Sequence, residues 1–506
     1  MDINIYEEIE RLLQFGLQKE FIVPADLIYS RNNILEILQL DEWEPVQNMN
    51  EELDSPVEII ERILNWSAEN GRLEENTVTY RDLLDTKIMG KIMPKPSEVA
   101  QQFSTIYQTK GPEVATKYLY DLSKNSHYIR TDRIKKNQHW FAETEYGRLE
   151  ITINLSKPEK DPTAIAKART LKESSYPTCL LCKENVGYAG RLNHPARQNL
   201  RTIPFKLEDE TWYLQFSPYV YYNEHAILFL DEHLPMKIAK RSFDRTLEFV
   251  EKLPHYFLGS NADLPIVGGS ILSHDHYQGG NHEFPMTKAE IETEFQFPEF
   301  PNVKAGIVKW PMSVIRLQGE DRHELSKLSD KILQAWRNYS DESVGIMAFS
   351  EETPHNTITP IARRRGDLFE MDLVLRNNRT DEEHPLGIFH PHNEVHHIKK
   401  ENIGLIEVMG LAVLPGRLLE ELQLLGEYLV NESYQKDIAK DERVSKHLSW
   451  AVKIKEKYTN INTTNSNDIL KEEVGIVFAT ILEHAGVFKR NKVGEDAFIK
   501  FLSSIQ

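Results

Sequence analysis

The spacing of apolar residues divides the chain into helical and extended stretches. Near the N-terminus the apolar positions recur every three or four residues, as on one face of a helix, at Ile5, Ile9, Leu12 and Leu13. Helical patterns continue to about residue 125, and this region holds no cluster of catalytic residue types. We therefore predict a helical N-terminal region, 1–125, that serves packing or oligomerisation.

Extended patterns begin near residue 137. The stretch "HWFAETEYGRLEITINL" predicts a hairpin that turns near Gly147, and "TWYLQFSPYVYY" and "HAILFLDEH" are typical of strands. Helices are predicted for "SFDRTLEFVEKLPHYF" and "HELSKLSDKILQAWRNY". Two later stretches, "GGSILSHDH" and "PLGIFHPHN", each look like a short apolar strand that runs into His-x-His, which indicates a diverged internal duplication.

These patterns together predict an α+β fold. Two related halves, 126–300 and 301–425, are expected to form a mostly antiparallel sheet, and helices dominate the C-terminal region, 426–506. A chain of 506 residues is longer than one hydrophobic core usually supports, so several structural units are expected.

The net charge and the hydropathy of the chain argue against two kinds of partner, nucleic acid and membrane. The formal net charge is -18, which argues against a nucleic-acid groove, because such a groove needs a basic face. No apolar run reaches the roughly 18 residues of a membrane span. The acidic N-terminus lacks the leading basic stretch of a signal or transit peptide, so a cytoplasmic location is expected.

The densest chemistry lies in "GGSILSHDHYQGGNHEF", residues 268–284. His274, His276 and Gln278 occupy every second position, which in a strand places them on one face, with Asp275 and Tyr277 on the other. One interpretation makes both histidines metal ligands. The other makes His274 a ligand and leaves His276 a free ring nitrogen for attack on a phosphate ester.

In the second interpretation the neighbours of His276 contact the phosphate. The amide of Gln278 can donate a hydrogen bond to a phosphoryl oxygen as charge develops there. The glycine-rich backbone before the histidines, represented by Gly269 and Ser270, is expected to approach the substrate closely.

The chain has two cysteines, Cys179 and Cys182, in "PTCLLCKEN". Their spacing suits a zinc site, which would need two more ligands, and the histidine candidates are His225, His233 and His274. An inert buried pair is the alternative. Downstream, Arg191, Arg197 and Arg201 in "GRLNHPARQNLRTIP" offer a diphosphate clamp or, equally, surface ion pairs.

The combination of "SHDHYQ", a preceding glycine-rich strand and "CLLC" resembles the galactose-1-phosphate uridylyltransferases of the histidine-triad superfamily, in their long bacterial branch, class II. The resemblance implies two histidine-triad-like halves. It makes His276 the uridylylated nucleophile and Gln278 the phosphoryl contact, and it places zinc on four residues, Cys179, Cys182, His233 and His274. It also suggests a second metal site at Glu292, His390 and His392.

The resemblance further implies transfer of UMP between UDP-glucose and galactose 1-phosphate, in galactose metabolism, by a homodimer. The sugar specificity follows from the resemblance alone. Asp275 and Tyr277 replace a proline and a glycine that are usual in the family, and both are expected to face away from the phosphate. Two rival functions remain: a related nucleotidyltransferase or phosphorylase for dinucleoside polyphosphates or GDP-sugars, and a non-catalytic zinc-stabilised binding protein.

Overall fold

A computed structural model describes residues 3–46, 51–156, 174–269 and 271–505. The chain folds into two compact units. Unit 1 comprises Met1–Lys136, Ser156–Val220 and Glu224–Leu234, and unit 2 comprises Asn137–Leu155, Tyr221–Asn223 and Pro235–Gln506. No helix among these described residues is long and apolar enough to cross a membrane.

Unit 1 begins with the predicted helical region. The first helix starts where the Asn4 side chain accepts a hydrogen bond from the Tyr6 amide at 3.1 Å, and it buries the predicted apolar stripe of Ile5, Ile9, Leu12 and Leu13. The helices of this unit are α1 Ile5–Gln18, α2 Leu27–Leu38, α3 Val57–Glu69, α4 Val78–Ile92, α5 Pro96–Lys110, α6 Pro112–Asn125 and α7 Thr131–Ile134. Helices α1 to α6 fall in the stretch that the sequence predicted to be helical, and α7 lies beyond it.

The described part of unit 1 also contains three antiparallel strands: β3 Ile203–Leu207, β4 Glu210–Phe216 and β5 Ala226–Leu230. The turn between the first two uses Glu208 and Asp209, both with positive φ, which matches the twist of a two-residue hairpin. Burial alternates along β3, and Trp212 on β4 is fully buried. The predicted strands in this part of the chain are therefore confirmed.

Unit 2 contains a small sheet built on the predicted hairpin. Strands β1 Gln138–Thr144 and β2 Gly147–Asn154 are antiparallel, and Gly147 has a φ of +99°, which favours glycine at the turn. Strand β15, Leu411–Pro415, adds to β2 in parallel.

The larger sheet of unit 2 is antiparallel throughout. Its strand order is β7-β6-β13-β14-β10-β9-β8. The bounds are β6 Phe257–Gly259, β7 His276–Gly280, β8 Ile291–Phe295, β9 Lys304–Val308, β10 Val314–Gly319, β13 Asn356–Arg365 and β14 Leu368–Asn377; a separate short ribbon pairs β11 Phe349–Ser350 with β12 Thr353–Pro354.

Helices supply the rest of unit 2. They are α8 Lys240–Lys252, α9 Pro285–Lys288, α10 Arg322–Arg337, α11 Leu405–Val408, α12 Leu418–Leu429, α13 Tyr434–Lys440, α14 Leu448–Lys457, α15 Ser466–Ala485 and α16 Lys492–Ser504. One continuous hydrophobic core joins the small sheet, the larger sheet and the C-terminal helices, with Trp310, Leu411 and Phe478 fully buried. The fold is α+β and mostly antiparallel, as the sequence predicted.

Two strand predictions are wrong. The stretch "GGSILSHDH" does not run as one strand into the histidines, because Gly268 forms an isolated bridge with Ala262, a turn occupies Leu272 and Ser273, and β7 begins at His276. The stretch before His390 is also not a strand, since residues 385–390 form turns and bends. Both stretches contain short apolar runs, and a short apolar run does not by itself distinguish a strand from a turn.

Candidate active site and metal centre

The predicted nucleophile opens strand β7. His276 is 6% exposed, and its Nδ1 lies 2.9 Å from the carbonyl oxygen of His274. A carbonyl only accepts hydrogen bonds, so Nδ1 carries the ring proton and Nε2 carries the lone pair. His276 and Gln278 share a strand face, as predicted, but His274 lies in a bend before the strand.

Burial lowers the pKa of His276 to about 4, and the hydrogen bond to the His274 carbonyl opposes this only in part. The ring is therefore neutral at physiological pH, which is the nucleophilic form of imidazole. An uncharged ring with one engaged nitrogen can attack through the other.

The side of residues 274–278 that lies opposite the His276 ring contacts helix α8. Arg245 Nη1 lies 3.1 Å from Asp275 Oδ2 and 3.4 Å from the Tyr277 hydroxyl, and all three residues are buried. Asp275 and Tyr277 thus turn away from the His276 side, as the sequence predicted. The ion pair between Arg245 and Asp275 therefore fixes the backbone that carries His276 to helix α8.

Three of the four predicted zinc ligands lie together in unit 1. The Sγ atoms of Cys179 and Cys182 are 3.4 Å apart, and Cys182 Sγ is 3.1 Å from His233 Nδ1. Ligands at tetrahedral zinc, with bonds of about 2.0–2.3 Å, are separated by roughly 3.3–3.8 Å. The separation of the two Sγ atoms falls in this range, and the contact between Cys182 and His233 is slightly shorter, so binding the ion would need a small shift of the His233 ring. Asn185 Nδ2 binds both cysteine carbonyls at 2.8 Å and fixes the loop.

Burial and the Cys179 thiol raise the pKa of Cys182 to about 12. The Cys182 thiol is thus protonated at neutral pH unless a cation displaces its proton. The fourth predicted ligand, His274, belongs to unit 2 and is fully buried. His225, the other candidate, is also buried, and it lies outside the cluster of possible metal ligands among the described residues.

The predicted arginine clamp lies in unit 1, and its members have different surroundings. Arg191 Nη1 donates to the Tyr188 hydroxyl and to the Tyr176 carbonyl. Arg197 lies over the Tyr128 ring. Arg201 is buried, its guanidinium donates to the carbonyls of Pro94, Gln198 and Leu200, and burial lowers its pKa to about 10.

The glycines near the motif are needed for packing. A Cβ on Gly269 would lie 2.4 Å from Asn261 Nδ2, and one on Gly279 would lie 2.5 Å from the Phe257 carbonyl oxygen. Protein atoms therefore fill the space that a side chain would need at both positions. Ser270, which was predicted with Gly269 as a substrate contact, lies outside the described residues.

The predicted second metal site is not assembled from its three residues. Glu292 forms a two-pronged ion pair with Arg490, with one contact at 2.8 Å, and His390 Nε2 lies 3.2 Å from Asn402 Oδ1. Of the three, His392 alone falls in a group of possible metal ligands among the described residues, together with Glu394 and His484.

Comparison with known families gives a match over most of the chain. Residues 20–235 match the N-terminal domain, and residues 248–451 the C-terminal domain, of galactose-1-phosphate uridyl transferase. The chain belongs to this family. The N-terminal range includes most of the helices that precede the cysteines.

Members of the family from bacteria match this chain almost end to end. The galactose-1-phosphate uridylyltransferase of Halalkalibacterium halodurans is 64% identical over 502 residues, and 99% of each chain is covered. That of Bacillus subtilis is 55% identical over 504 residues, covering 99% of this chain and 98% of the relative. A crystal structure of yeast Ap4A phosphorylase Apa2 covers 64% of this chain and 90% of its own, at 13% identity and a TM-score of 0.33, a likeness too remote to bear on function.

Sequence reasoning missed three residues of this region. Arg245 was taken only as part of a helix, and nothing in its own sequence neighbourhood points to Asp275, 30 positions later. His484 and Glu394 were missed as well, because a single histidine near the end of an apolar helix and a single exposed glutamate are both common without a function. The unusual density of histidines between residues 384 and 397 is the one available signal.

Proposed function

We propose that this protein transfers UMP between UDP-glucose and galactose 1-phosphate through a uridylyl-histidine. The observation that carries the proposal is the buried, neutral His276, whose Nδ1 is engaged with the His274 carbonyl. Family membership and full-length relatives named for this activity support it.

The reaction consists of two displacements at one phosphorus atom. His276 Nε2 attacks the α-phosphorus of UDP-glucose, the P–N bond forms, and the P–O bond to the leaving group breaks to release glucose 1-phosphate. A phosphate oxygen of galactose 1-phosphate then attacks the same phosphorus. The P–N bond breaks, UDP-galactose leaves, and His276 is restored with its proton still on Nδ1.

Gln278 is proposed to stabilise charge on the phosphoryl oxygens. It lies on the same strand face as His276, and an amide N–H donor aimed at the developing charge is worth more in the transition state than in the ground state. Arg191 and Arg197 are the proposed diphosphate contacts. Arg201 was predicted with them, but its guanidinium is bound to backbone carbonyls, so we propose that it supports their loop. Gly269 and Ser270 remain proposed substrate contacts.

A zinc ion is proposed at Cys179, Cys182, His233 and His274. When bound, the ion would supply a fixed anchor for His274, and so for the carbonyl that sets the His276 tautomer. The ring of His276 itself takes no part in the coordination. We also propose that the protein is a homodimer, which gel filtration with light scattering would test.

The decisive experiment uses UDP-glucose as the only substrate. The covalent step predicts a mass gain of one UMP on the peptide that carries His276, together with release of one glucose 1-phosphate. A His276→Gly variant should show neither, and it should regain transfer when preformed uridylyl-imidazole is added. If ADP- or GDP-linked donors label His276 better than UDP-glucose, the proposed substrate is wrong.

A further inference from the structure

A buried histidine joins two helical parts of unit 1. His127 follows helix α6 and is 3% exposed. Its Nε2 lies 3.3 Å from Asp132 Oδ1 on helix α7, and its Nδ1 lies 3.0 Å from Asp85 Oδ2 on helix α4. The ring therefore connects the corner between α6 and α7 to α4, from which it is separated by more than 30 positions in the chain.

A carboxylate at each ring nitrogen favours a doubly protonated ring. Neutral imidazole has one N–H and one lone pair, so one of the two contacts would set a lone pair against an anion. Asp85 in particular needs a cation. Its Oδ2 contacts the Arg130 guanidinium as well as His127, while its Oδ1 is buried and has no hydrogen-bond partner in the described part of the chain. The contact of His127 Nδ1 with Asp85 is an ion pair rather than a hydrogen bond.

The charges of this cluster balance only when His127 carries a proton. Besides the ring, the cluster comprises two guanidinium groups and three carboxylates, which are those of Arg130, Arg133, Asp82, Asp85 and Asp132. Lys124, the last lysine of helix α6, is turned to Asp121 at 2.9 Å. Burial by itself lowers the pKa of His127, but the two carboxylates outweigh burial and the repulsion from Arg130, and they raise the pKa above its ordinary value of 6.5.

The corner that His127 holds supports the loop of residues 197–201. Asn199 Nδ2 donates a hydrogen bond to the Ser126 carbonyl at 2.9 Å, and both residues are buried. The guanidinium of Arg197 lies over the ring of Tyr128, 5.5 Å from the ring centroid. One side of the loop therefore rests on the residues directly before and after His127.

The other side of the loop rests on the C-terminal end of helix α4. Arg201 Nε donates to the Pro94 carbonyl at 2.7 Å. Gly90 approaches Gln198 so closely that a Cβ on Gly90 would lie 2.6 Å from Gln198 Cβ. The loop thus contacts both of the structures that the His127 cluster joins, and its position depends on how they are held together.

From these contacts we propose that His127, in its protonated form, is a positioning residue for Arg197. It fixes the corner after α6 to α4, and in this way it holds loop 197–201 where Arg197 contacts the diphosphate of UDP-glucose. The inference rests on the proposed function, in which Arg197 is a substrate contact. Because the pKa of His127 is higher in the folded state, its stabilising effect is complete below about pH 6.5 and is lost as the pH rises through the folded pKa.

The first test measures the pKa of His127 and the KM for UDP-glucose on the full-length protein. The ring resonance is followed by NMR with ¹³C-labelled histidine and is assigned by its loss in His127→Gln. We expect a wild-type pKa above 6.5. The KM should rise by at least about 5-fold as the pH passes through that pKa, with kcat nearly constant. In His127→Gln the KM should be high and independent of pH over the same range.

A second variant separates positioning from a merely structural role. Asp132→Asn removes one carboxylate from the ring at a position whose side chain is 33% exposed, so the fold is retained. It should lower the pKa of His127 and move the rise in KM to lower pH by the same amount. Asp121→Asn is the matched control, because its carboxylate contacts Lys117 and Lys124 and no histidine, and it should leave both values unchanged.

Hydrogen exchange of residues 194–201 provides a measurement that needs no substrate. At a pH below the wild-type pKa, exchange should be faster in His127→Gln than in wild type. Equal exchange in the two proteins, a wild-type pKa below 6.5, or a KM whose midpoint does not follow the pKa in Asp132→Asn would each overturn the role of His127. A wild-type protein that forms no UMP adduct would instead overturn the proposed function, and with it the role given to Arg197.

Discussion

The Nδ1 atom of His276 lies 2.9 Å from the carbonyl oxygen of His274, two residues earlier in the chain. The contact sets which ring nitrogen carries the proton, and it connects the proposed nucleophile to the proposed metal ligand through the backbone alone. Any force that moves His274 therefore reorients the ring of His276. A metal ion bound at His274, as proposed, would in this way influence the geometry of the nucleophile without a bond to the reacting ring.

The first prediction concerns the nucleophile. His276→Ala should lower kcat by at least about 1000-fold and abolish the UMP adduct, because it removes the ring nitrogen on which the proposed P–N bond forms. Intact-protein mass spectrometry after incubation with UDP-glucose measures the adduct. His323→Ala, which removes an exposed histidine, should behave as wild type. An adduct that persists in His276→Ala would place the nucleophile elsewhere.

The second prediction concerns Gln278. Gln278→Ala should lower kcat by about 100-fold with little change in KM, since the amide is proposed to act on charge that develops in the transition state. Gln278→Glu should be worse, because its carboxylate repels the phosphoryl oxygens. Steady-state kinetics separate the two constants. A rise in KM at constant kcat would mean that the amide only binds the ground state.

Much of the fold followed from the sequence because its signals are local. The stripe of Ile9 and Leu12 in helix α1 and the turn at Gly147 each depend on residues close together in the chain. The residue at which β7 begins could not be predicted from such local signals. Strand β6 is only three residues long, and its ladder ends where Gly259 meets Gln278, so the backbone ahead of β7 is free to bend at His274.

The residues of the candidate site can be separated in the same way, into those that a local sequence pattern predicts and those whose contacts depend on the tertiary fold. Cys179 and Cys182 were predicted from their spacing, and His276 and Gln278 from alternation along a strand. The partners Arg245 and Asp275, and equally Glu292 and Arg490, are separated by 30 and 198 positions. Only the tertiary fold brings such pairs together, so no pattern in the sequence could have revealed that Arg490 neutralises a predicted metal ligand.

A third prediction concerns the zinc ligands. Cys182→Ser should lose one equivalent of zinc and melt at a lower temperature, because the remaining ligands no longer complete the tetrahedral set. Cys179→Ser should show the same loss, and it serves as the matched variant. Metal analysis together with thermal denaturation measures both effects. Full zinc occupancy in the two serine variants would exclude the cysteines as ligands.

A fourth prediction concerns the ion pair behind the motif. Asp275→Asn should lower the free energy of unfolding by about 3 kcal/mol, because it leaves the buried guanidinium of Arg245 without its carboxylate. The double variant Arg245→Met, Asp275→Leu removes both charges and should recover most of the loss. Urea denaturation measures both. If the double variant is no more stable than Asp275→Asn, the ion pair is not the cause.

The last prediction concerns the pH dependence of stability. Glu150 on β2 is buried, and its carboxylate contacts His139 Nε2 at 2.7 Å and His282 Nε2 at 2.9 Å. Burial by itself would raise the pKa of Glu150, but the hydrogen bonds from the two histidines outweigh it and lower the pKa from 4.5 to about 2.

A carboxylate whose pKa is lower in the folded state stabilises the fold above its unfolded pKa and loses that contribution as the pH falls. The stability that Glu150 supplies should therefore be complete above about pH 4.5 and should vanish as the pH approaches 2. Urea denaturation of wild type and Glu150→Gln across this range measures the difference between their free energies of unfolding. That difference should shrink by about 3 kcal/mol on acidification, at 1.36 kcal/mol for each pKa unit. A difference that stays constant from pH 5 to pH 2 would show that the two histidines do not stabilise the ionised carboxylate.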